Sequence, residues 1–191
     1  MSNNLPLTKT NKMKNSFIDS RNGKIYKTVK IGTQTWMAEN FALKANIGCW
    51  AYDNDERNVE AYGYLYDWKT ANNLCPTGCH LPTETELSTF IEYLGGIKYA
   101  GGKLKEEGTN HWLSPNNGAT NESGFTALPS GFRSNDEYKW IGEHGFWWSS
   151  SEQDHGSASC LSLNHGSFGV AGRHLHFYKS SNGLSVRYIK D

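Results

Sequence analysis

The spacing of apolar residues changes twice along this chain of 191 residues, and this change limits the possible folds more than any other feature. Residues 24–31 (KIYKTVKI) alternate between polar and apolar side chains, as a half-buried strand does. A turn at residues 32 and 33 precedes a second short strand over residues 34–38, so the opening is predicted to be a hairpin. One face of its first strand is predicted to carry Ile25, Val29 and Ile31.

Helical spacing replaces this alternation in the middle of the chain. Residues 64–74 place apolar side chains three and four positions apart, and Pro76 ends the helix that this spacing predicts. Residues 83–86 (TETE) form a capping box, and the apolar stripe behind it ends at the glycine pair 95–96. The sequence therefore predicts two amphipathic helices.

The second half of the chain returns to short strand-like segments. Beyond Gly101 no further helix is expected, and residues 125–128 and 145–149 are predicted strands, with a turn at residues 131–133. Loops rich in Asn, Gly and Ser separate these segments. An order of strands, two helices and strands predicts an α+β fold.

The composition argues against several classes of partner. Lys and Arg together (19) balance Asp and Glu (19), so no field of one sign attracts nucleic acid. No apolar run is long enough to span a bilayer, and residues 1–15 lack the apolar core of a secretory signal. We expect a flexible tail over residues 1–16 and one domain over residues 17–191, with no nucleic-acid partner and no membrane insertion.

The cysteines do not predict a disulfide scaffold, because Cys49, Cys75, Cys79 and Cys160 are few and widely spaced. Cys75 and Cys79, with His80 beside them, could supply part of a zinc site. No second ligand pair lies at a regular distance from them. Buried thiols or one local bridge are the expected outcome, and no metal or other cofactor is predicted.

Two stretches near the C-terminus alternate, namely residues 160–164 and 174–178, and residues 165–172 would connect them. The predicted inward-facing scaffold consists of Trp147, Trp148, Leu161, Leu163, Leu175 and Phe177. The opposite face is rich in small polar residues, with Tyr and His among them, as binding loops of antibodies are. The predicted ligand-binding residues are Gln153, Asp154, His155, Ser157, Ser159, Cys160, Ser162, Asn164, His165, Ser167, Phe168, Arg173, His174, His176 and Tyr178.

A series of motifs runs in a fixed order through the chain. These are residues 19–32, 36–40 (WMAEN), 65–68 (LYDW), 75–82 (CPTGCHLP), 102–105 (GKLK), 124–131 (GFTALPSG), 147–150 (WWSS) and 183–187 (GLSVR). In this order they resemble the Fibrobacter succinogenes major paralogous domain, over residues 17–191.

The resemblance implies a C-type-lectin-like fold with two helices, a sheet that joins the termini, and a second small antiparallel sheet carrying long loops. Members typically belong to cell-surface or secreted proteins. The chain departs from the family where cysteines usually stand, at Val59 and Tyr188, and Cys79 replaces a usual tryptophan. The disulfide between helix and final strand that the family pattern implies is therefore missing, which favours a fold held by packing alone.

The polar C-terminal surface also resembles the variable region of proteins diversified by retroelements, some of which belong to this family. Adenine-directed substitution in such proteins converts asparagine-type codons into Ser, His, Asp, Gly, Cys or Tyr. The outward residues of the two alternating stretches are either Asn or members of this set, namely Cys160, Ser162, Asn164, His174, His176 and Tyr178. We therefore predict a non-catalytic module that recognises a protein or glycan, at a cell surface, in a secreted protein or in a phage particle.

Two other functions remain open from the sequence. Formylglycine-generating enzymes share the lectin-like architecture, and Cys160 near His165, His174 or His176 could form a thiolate–imidazole pair. No third orienting group accompanies that pair. A purely structural role in a surface or phage assembly is the other alternative. Calcium-dependent sugar binding is not favoured, because the second half of the chain has no dense acidic cluster.

Overall fold

The structure is a computed structural model that describes residues 15–153, 156–171 and 177–191. Its strands are Ser16–Ile18 (β1), Ile25–Ile31 (β2), Gln34–Met37 (β3), Cys49–Trp50 (β4), Leu65–Tyr66 (β5), Cys79–His80 (β6), Ser130–Ser134 (β7), Glu137–Ile141 (β8), His144–Glu152 (β9), Ser157–Asn164 (β10), Phe177–Tyr178 (β11), Asn182–Gly183 (β12) and Ile189–Lys190 (β13). The α-helices are Asn58–Tyr62 (α1), Trp68–Asn73 (α2), Glu84–Tyr93 (α3) and Ile97–Leu104 (α4), and Tyr52–Asn54 is a 3-10 helix. Within those ranges no helix has the length and apolar character needed to cross a membrane.

The fold is mixed α/β, with helices and three sheets in the described part of the chain. The first sheet has the order β1-β2-β3-β13-β6, so the last strand lies beside the opening hairpin. The second sheet has the order β11-β10-β9-β7-β12, and β8 pairs with β7. Strands β7 and β9 run parallel, whereas the other neighbours in this sheet are antiparallel. Strands β4 and β5 form a separate pair. The predicted tail over residues 1–16 lies almost entirely outside the described residues.

The predicted opening hairpin is confirmed as β2 and β3, with Val29 opposite Trp36. The prediction that Ile25 shares a buried face with Ile31 is wrong, because Ile25 is exposed and its neighbour Tyr26 is buried. The first half of β2 pairs with β1, and there Tyr26 stacks on Phe17. The second half pairs with β3. The buried face of β2 therefore changes along its length.

The capped helix is confirmed as α3. The Thr83 hydroxyl accepts a hydrogen bond from the Glu86 amide, and the Glu86 carboxylate accepts one from the Thr83 amide. The other predicted helix, over residues 64–74, is confirmed only in part, since α2 begins at Trp68. The Asp67 side chain accepts from the Thr70 amide and caps this helix, so the residues before it are free to pair as strand β5.

Helix α4 departs from the prediction of two helices with none beyond Gly101, because it extends past Gly101 to Leu104. The predicted end of the capped helix at the glycine pair 95–96 is confirmed, since α3 ends at Tyr93. Glycine is a poor helix former, and α4 contains both Gly101 and Gly102. The structure explains their presence by close packing, because a Cβ atom on Gly101 would overlap the carbonyl oxygen of Gly169. Helix propensity is overridden here by the approach of a second segment.

Two predictions in the second half are also wrong. Residues 131–133 lie within strand β7, where a turn was expected. Residues 125–128 form no strand, and their β-type pairing is limited to the isolated bridge between Lys105 and Ala127. The left-handed backbone of Thr126, with φ at 54°, interrupts any extended run there. The strand predicted over residues 145–149 is confirmed within β9.

The second sheet is covered on both faces by apolar residues. One apolar cluster contains Phe146, Trp148 and Cys160, and a second contains Trp147, Leu161 and Leu163. Adjacent residues of β9 and β10 thus contribute to different clusters, as strand geometry requires. The predicted scaffold roles of Trp147, Trp148, Leu161 and Leu163 agree with this burial. Strand β10 is consequently an interior strand of the molecule.

Candidate functional site

The predicted binding face of β10 is not exposed, which corrects the sequence-based interpretation. Ser157, Ser159, Cys160 and Ser162 are all buried, because apolar clusters cover both faces of the strand. A partner macromolecule cannot contact these side chains in this conformation. The remaining predicted site residues Asp154, His155, Arg173, His174 and His176, and the predicted scaffold residue Leu175, lie outside the described residues.

The buried serines belong to the interior of the sheet. The hydroxyls of Ser149 and Ser159 lie 3.0 Å apart and share a hydrogen bond between β9 and β10. The Ser162 hydroxyl is buried and has no hydrogen-bond partner among the residues that the structure describes. A buried hydroxyl left without a partner costs about 1–3 kcal/mol.

The predicted site residues that reach solvent lie at opposite ends of β10. Gln153 and Tyr178 lie at its beginning, where Ser157 pairs with Tyr178. Asn164, His165, Ser167 and Phe168 lie at its end. A strand of eight residues separates these groups by about 23 Å at the usual rise per residue. The structure therefore divides the single predicted surface into two.

The end of β10 contributes to a solvent-open cavity, here called the Phe168 pocket. Its volume is about 680 Å³, and its lining residues are Ile97, Lys98, Tyr99, Gly166, Ser167, Phe168, Gly169 and Val170. Three large apolar side chains around it are exposed, namely Phe168 (60%), Tyr99 (57%) and Ile97 (44%). The Lys98 ammonium lies 5.4 Å from the centre of the Tyr99 ring. Sequence reasoning identified Ser167 and Phe168 and missed the residues from α4.

Backbone contacts between glycines form the base of this pocket. The Gly102 amide donates to the Phe168 carbonyl at 2.7 Å, and the Val170 amide donates to the Ile97 carbonyl at 2.8 Å. A Cβ atom on Gly102 would overlap the backbone of Gly118, as one on Gly101 would overlap that of Gly169. The segments around Gly118 and Gly169 can approach α4 this closely only because both helical positions lack side chains.

Lys105 connects three segments beneath the pocket. Its ammonium donates to the carbonyl oxygens of Asn117, Asn164 and Ser167 at 2.9, 3.1 and 2.9 Å. The side chain is fully buried, and this burial lowers the pKa of Lys105 to about 8. Three carbonyl acceptors satisfy all three ammonium donors. Lys105 therefore orders the loop that carries Phe168.

Other motif residues meet in a second buried cluster around Arg187. The Arg187 guanidinium donates to the Asn40 side chain at 2.8 Å, to the Thr126 carbonyl at 2.7 Å and also to the Phe125 carbonyl. The Trp147 indole donates to the same Asn40 oxygen at 2.8 Å. Burial lowers the pKa of Arg187 to about 9. Three motifs that are distant in sequence thus have a structural role, because the side chains of Asn40, Trp147 and Arg187 form one buried hydrogen-bonded cluster.

The cysteines offer no accessible nucleophile in the C-terminal region. Cys160 is fully buried, and this burial raises the pKa of its thiol well above the usual range. The four cysteines all lie within the described ranges and form no disulfide bond with one another. Across the residues that the structure describes, no three His, Cys, Asp or Glu side chains converge as metal ligands. Tyr188, at a position where the family pattern has cysteine, is buried and donates to the Ala71 carbonyl at 2.6 Å.

Comparison with known families agrees with the motif order. The model of the Fibrobacter succinogenes major domain matches residues 29–190, and this chain belongs to that family. No curated protein and no solved structure gives a significant match to the chain.

Proposed function

We propose that this protein is a ligand-binding module that recognises a protein or glycan through the Phe168 pocket, without catalysis. The observation that carries the proposal is the exposure of Phe168, Tyr99 and Ile97 around one cavity of about 680 Å³. Exposed apolar side chains that are grouped in a concavity are typical of recognition sites. Single exposed apolar residues have no such significance.

The rigid base of the pocket supports recognition because it lowers the entropic cost of binding. Phe168 is carried by a loop whose backbone is fixed by α4 and by the Lys105 ammonium. Side chains held in place before binding lose less freedom when a partner arrives. The aromatic rings supply contact area for an apolar side chain or a sugar ring, and Lys98 supplies a cation at the rim.

The proposal is tested by selecting ligands with the native protein, using a glycan array and a phage-displayed library of random peptides. Phe168→Ala and Ile97→Ser remove apolar surface from the pocket. Ile47→Ser is the matched control, because Ile47 is 83% exposed and does not line the pocket. Thermal unfolding of each variant shows whether the fold is retained.

We expect the pocket variants to lose about tenfold or more in affinity for the selected ligands, as truncation of a central contact does. Ile47→Ser should bind like the native protein. Equal affinity of all variants would refute the pocket as the recognition site. Failure to select any ligand from either library would favour the alternative of a structural component in a larger assembly.

We also propose that the exposed residues at this end of β10 are variable positions of a protein diversified by a retroelement. His165 and Ser167 belong to the residue types that adenine-directed substitution produces, Asn164 is of the type from which it starts, and all three are partly exposed. The test is genomic, and it seeks a reverse transcriptase gene beside an imperfect copy of the codons for residues 147–180. Mismatches should concentrate at these exposed positions, and mismatches concentrated at buried positions such as Ser159 would contradict the proposal.

The finer description of the fold as C-type-lectin-like is part of the same proposal. It is supported by the pairing of the last strand with the opening hairpin, where Ile189 lies opposite Trp36. The second sheet with its long loops also agrees with that architecture. A crystal structure whose strand order cannot be superposed on a C-type lectin domain would refute it.

A further inference from the structure

Cys75 and Cys79 bound a short loop between helix α2 and strand β6. The Cys79 amide donates to the Pro76 carbonyl at 3.1 Å and so closes a tight turn. The Cys75 thiol donates to the Cys79 carbonyl oxygen at 3.0 Å, which places its sulfur against the backbone of the second cysteine. The turn thus brings the two thiol-bearing residues together.

We propose that Cys75 and Cys79 form a reversible disulfide site that reacts with a low-molecular-weight disulfide such as oxidised glutathione. A cavity of about 110 Å³ lies beside the loop, and its lining includes Cys75 together with Asp19 and Arg21. Cys75 lines this cavity and is only partly buried, so it is not sealed within the interior as Cys160 is. The site goes beyond the recognition function and does not depend on it.

The reaction proceeds in two exchange steps. The Cys75 thiolate attacks one sulfur of oxidised glutathione, which forms a mixed disulfide and releases one glutathione thiolate. The Cys79 thiolate then attacks the Cys75 sulfur, which forms the Cys75–Cys79 bond and releases the second glutathione. The two cysteines are oxidised, the glutathione disulfide is reduced to two thiols, and the two cysteine protons pass to these thiols.

The loop lies at the surface around Gly78. Gly78 adopts a left-handed backbone with φ at 77°, and among the described residues no atom lies within 4 Å of the Cβ position that a side chain would occupy there. The other two cysteines are unsuitable partners. Cys160 is fully buried, and Cys49 lies in β4, which pairs with β5 in a separate sheet. Only Cys75 and Cys79 share one turn.

The expected rate depends on pH. Burial is the main cause that raises the pKa of Cys75 to about 12 and that of Cys79 to about 11, and the Asp191 carboxylate contributes to both shifts. Since the thiolate is the reacting species, oxidation should accelerate by about tenfold per pH unit between about pH 7 and 9.

The test exposes the native full chain to oxidised glutathione, blocks remaining thiols with iodoacetamide, digests with trypsin and measures peptide masses. Both cysteines remain on one tryptic peptide, residues 70–98, because the chain has no Lys or Arg between them. The expected product has lost the mass of two hydrogens and carries no alkyl group. Cys79→Ser should instead retain glutathione on Cys75. Cys49→Ser, a matched single-thiol control, should form the bridge normally.

Three results would overturn the proposal. One is persistent glutathione on Cys75 or Cys79 in the native chain, another is complete alkylation of both residues after oxidation, and the last is a bridge that includes Cys49. The measurement on the native chain decides the matter even if Cys79→Ser does not fold.

Discussion

Replacing Lys105 with methionine tests how the loop that carries Phe168 is held. The substitution keeps much of the buried aliphatic volume and removes the ammonium that donates to three carbonyl oxygens. Hydrogen bonds to a charged group contribute about 1.5–3 kcal/mol each, so three of them contribute about 4.5–9 kcal/mol. Their loss dominates the effect.

A second contribution opposes this loss. Burial lowers the pKa of Lys105 from 10.5 to about 8, and a shift of that size corresponds to about 3 kcal/mol for holding the charged form in the interior at neutral pH. The methionine variant has no charged group to bury, so this destabilising contribution is absent from it. We therefore expect Lys105→Met to reduce the free energy of unfolding by about 1.5–6 kcal/mol.

The assay is urea unfolding followed by tryptophan fluorescence, since the Lys105 ammonium lies 5.5 Å from the Trp112 ring. Lys103→Met is the matched control. Lys103 is partly exposed and pairs with Glu122 at 3.3 Å, so its replacement should cost at most about 1 kcal/mol. Equal stability of Lys105→Met and the native protein at pH 7 would refute the reasoning.

The sign of the pH dependence provides an independent check. The pKa of Lys105 is lower in the folded state than in the unfolded state, so between about pH 8 and 10.5 the unfolded chain binds more protons at this residue. The Lys105 contribution therefore makes the folded state more stable as pH rises through this window. The stability difference between the native protein and Lys105→Met should increase over that interval, and a decrease would contradict the assigned burial.

Three further predictions concern separate parts of the molecule. Gly101→Ala should lower the free energy of unfolding by about 1–3 kcal/mol because its methyl would overlap the Gly169 carbonyl. Gly166→Ala should be tolerated, because a Cβ atom there would meet the Asn164 side-chain oxygen at an ordinary contact distance of 3.5 Å. Similar melting temperatures for both variants would contradict the close packing at Gly101. The His80 ring lies between the carboxylates of Asp191 and Glu86, at 2.6 and 2.7 Å. Burial acts to lower the pKa of His80, but the hydrogen bonds to these carboxylates outweigh it and raise that pKa. Protonated His80 should therefore stabilise the fold fully at pH values below its pKa in the unfolded chain, and this contribution should be lost as pH rises through its pKa in the folded protein. The melting temperature of His80→Gln should accordingly differ from that of the native protein most at acidic pH. Cys160 should resist iodoacetamide in the native protein and react only after unfolding, as mass spectrometry would show; rapid native labelling would refute its burial.

Local signals in the sequence predicted the elements that depend on neighbouring residues. The capping box of α3 is complete within four positions, from Thr83 to Glu86. The hairpin of β2 and β3 is marked by alternation and by a glycine that adopts a left-handed backbone at Gly32. Nothing distant is needed to explain either element, and for this reason both were predictable.

The candidate site was predictable only in part. The sequence pointed to Ser167 and Phe168, and the structure places both beside a cavity. The sequence did not indicate that Ile97 and Tyr99 belong to the site, because the glycines in α4 argue against a helix there. Only the backbone of the approaching loop, which needs those glycines, explains why the helix carries them.

By itself the sequence determined which side chains of a strand share a face, because alternation is a property of the extended backbone. Whether one face or both would be covered was decided by the tertiary structure. Leu161 and Ser162 point to opposite sides of β10, yet both are buried, since each side meets its own apolar cluster. The burial of a side chain depends on which other segments pack against its strand. The sequence of the strand alone does not indicate which segments these are.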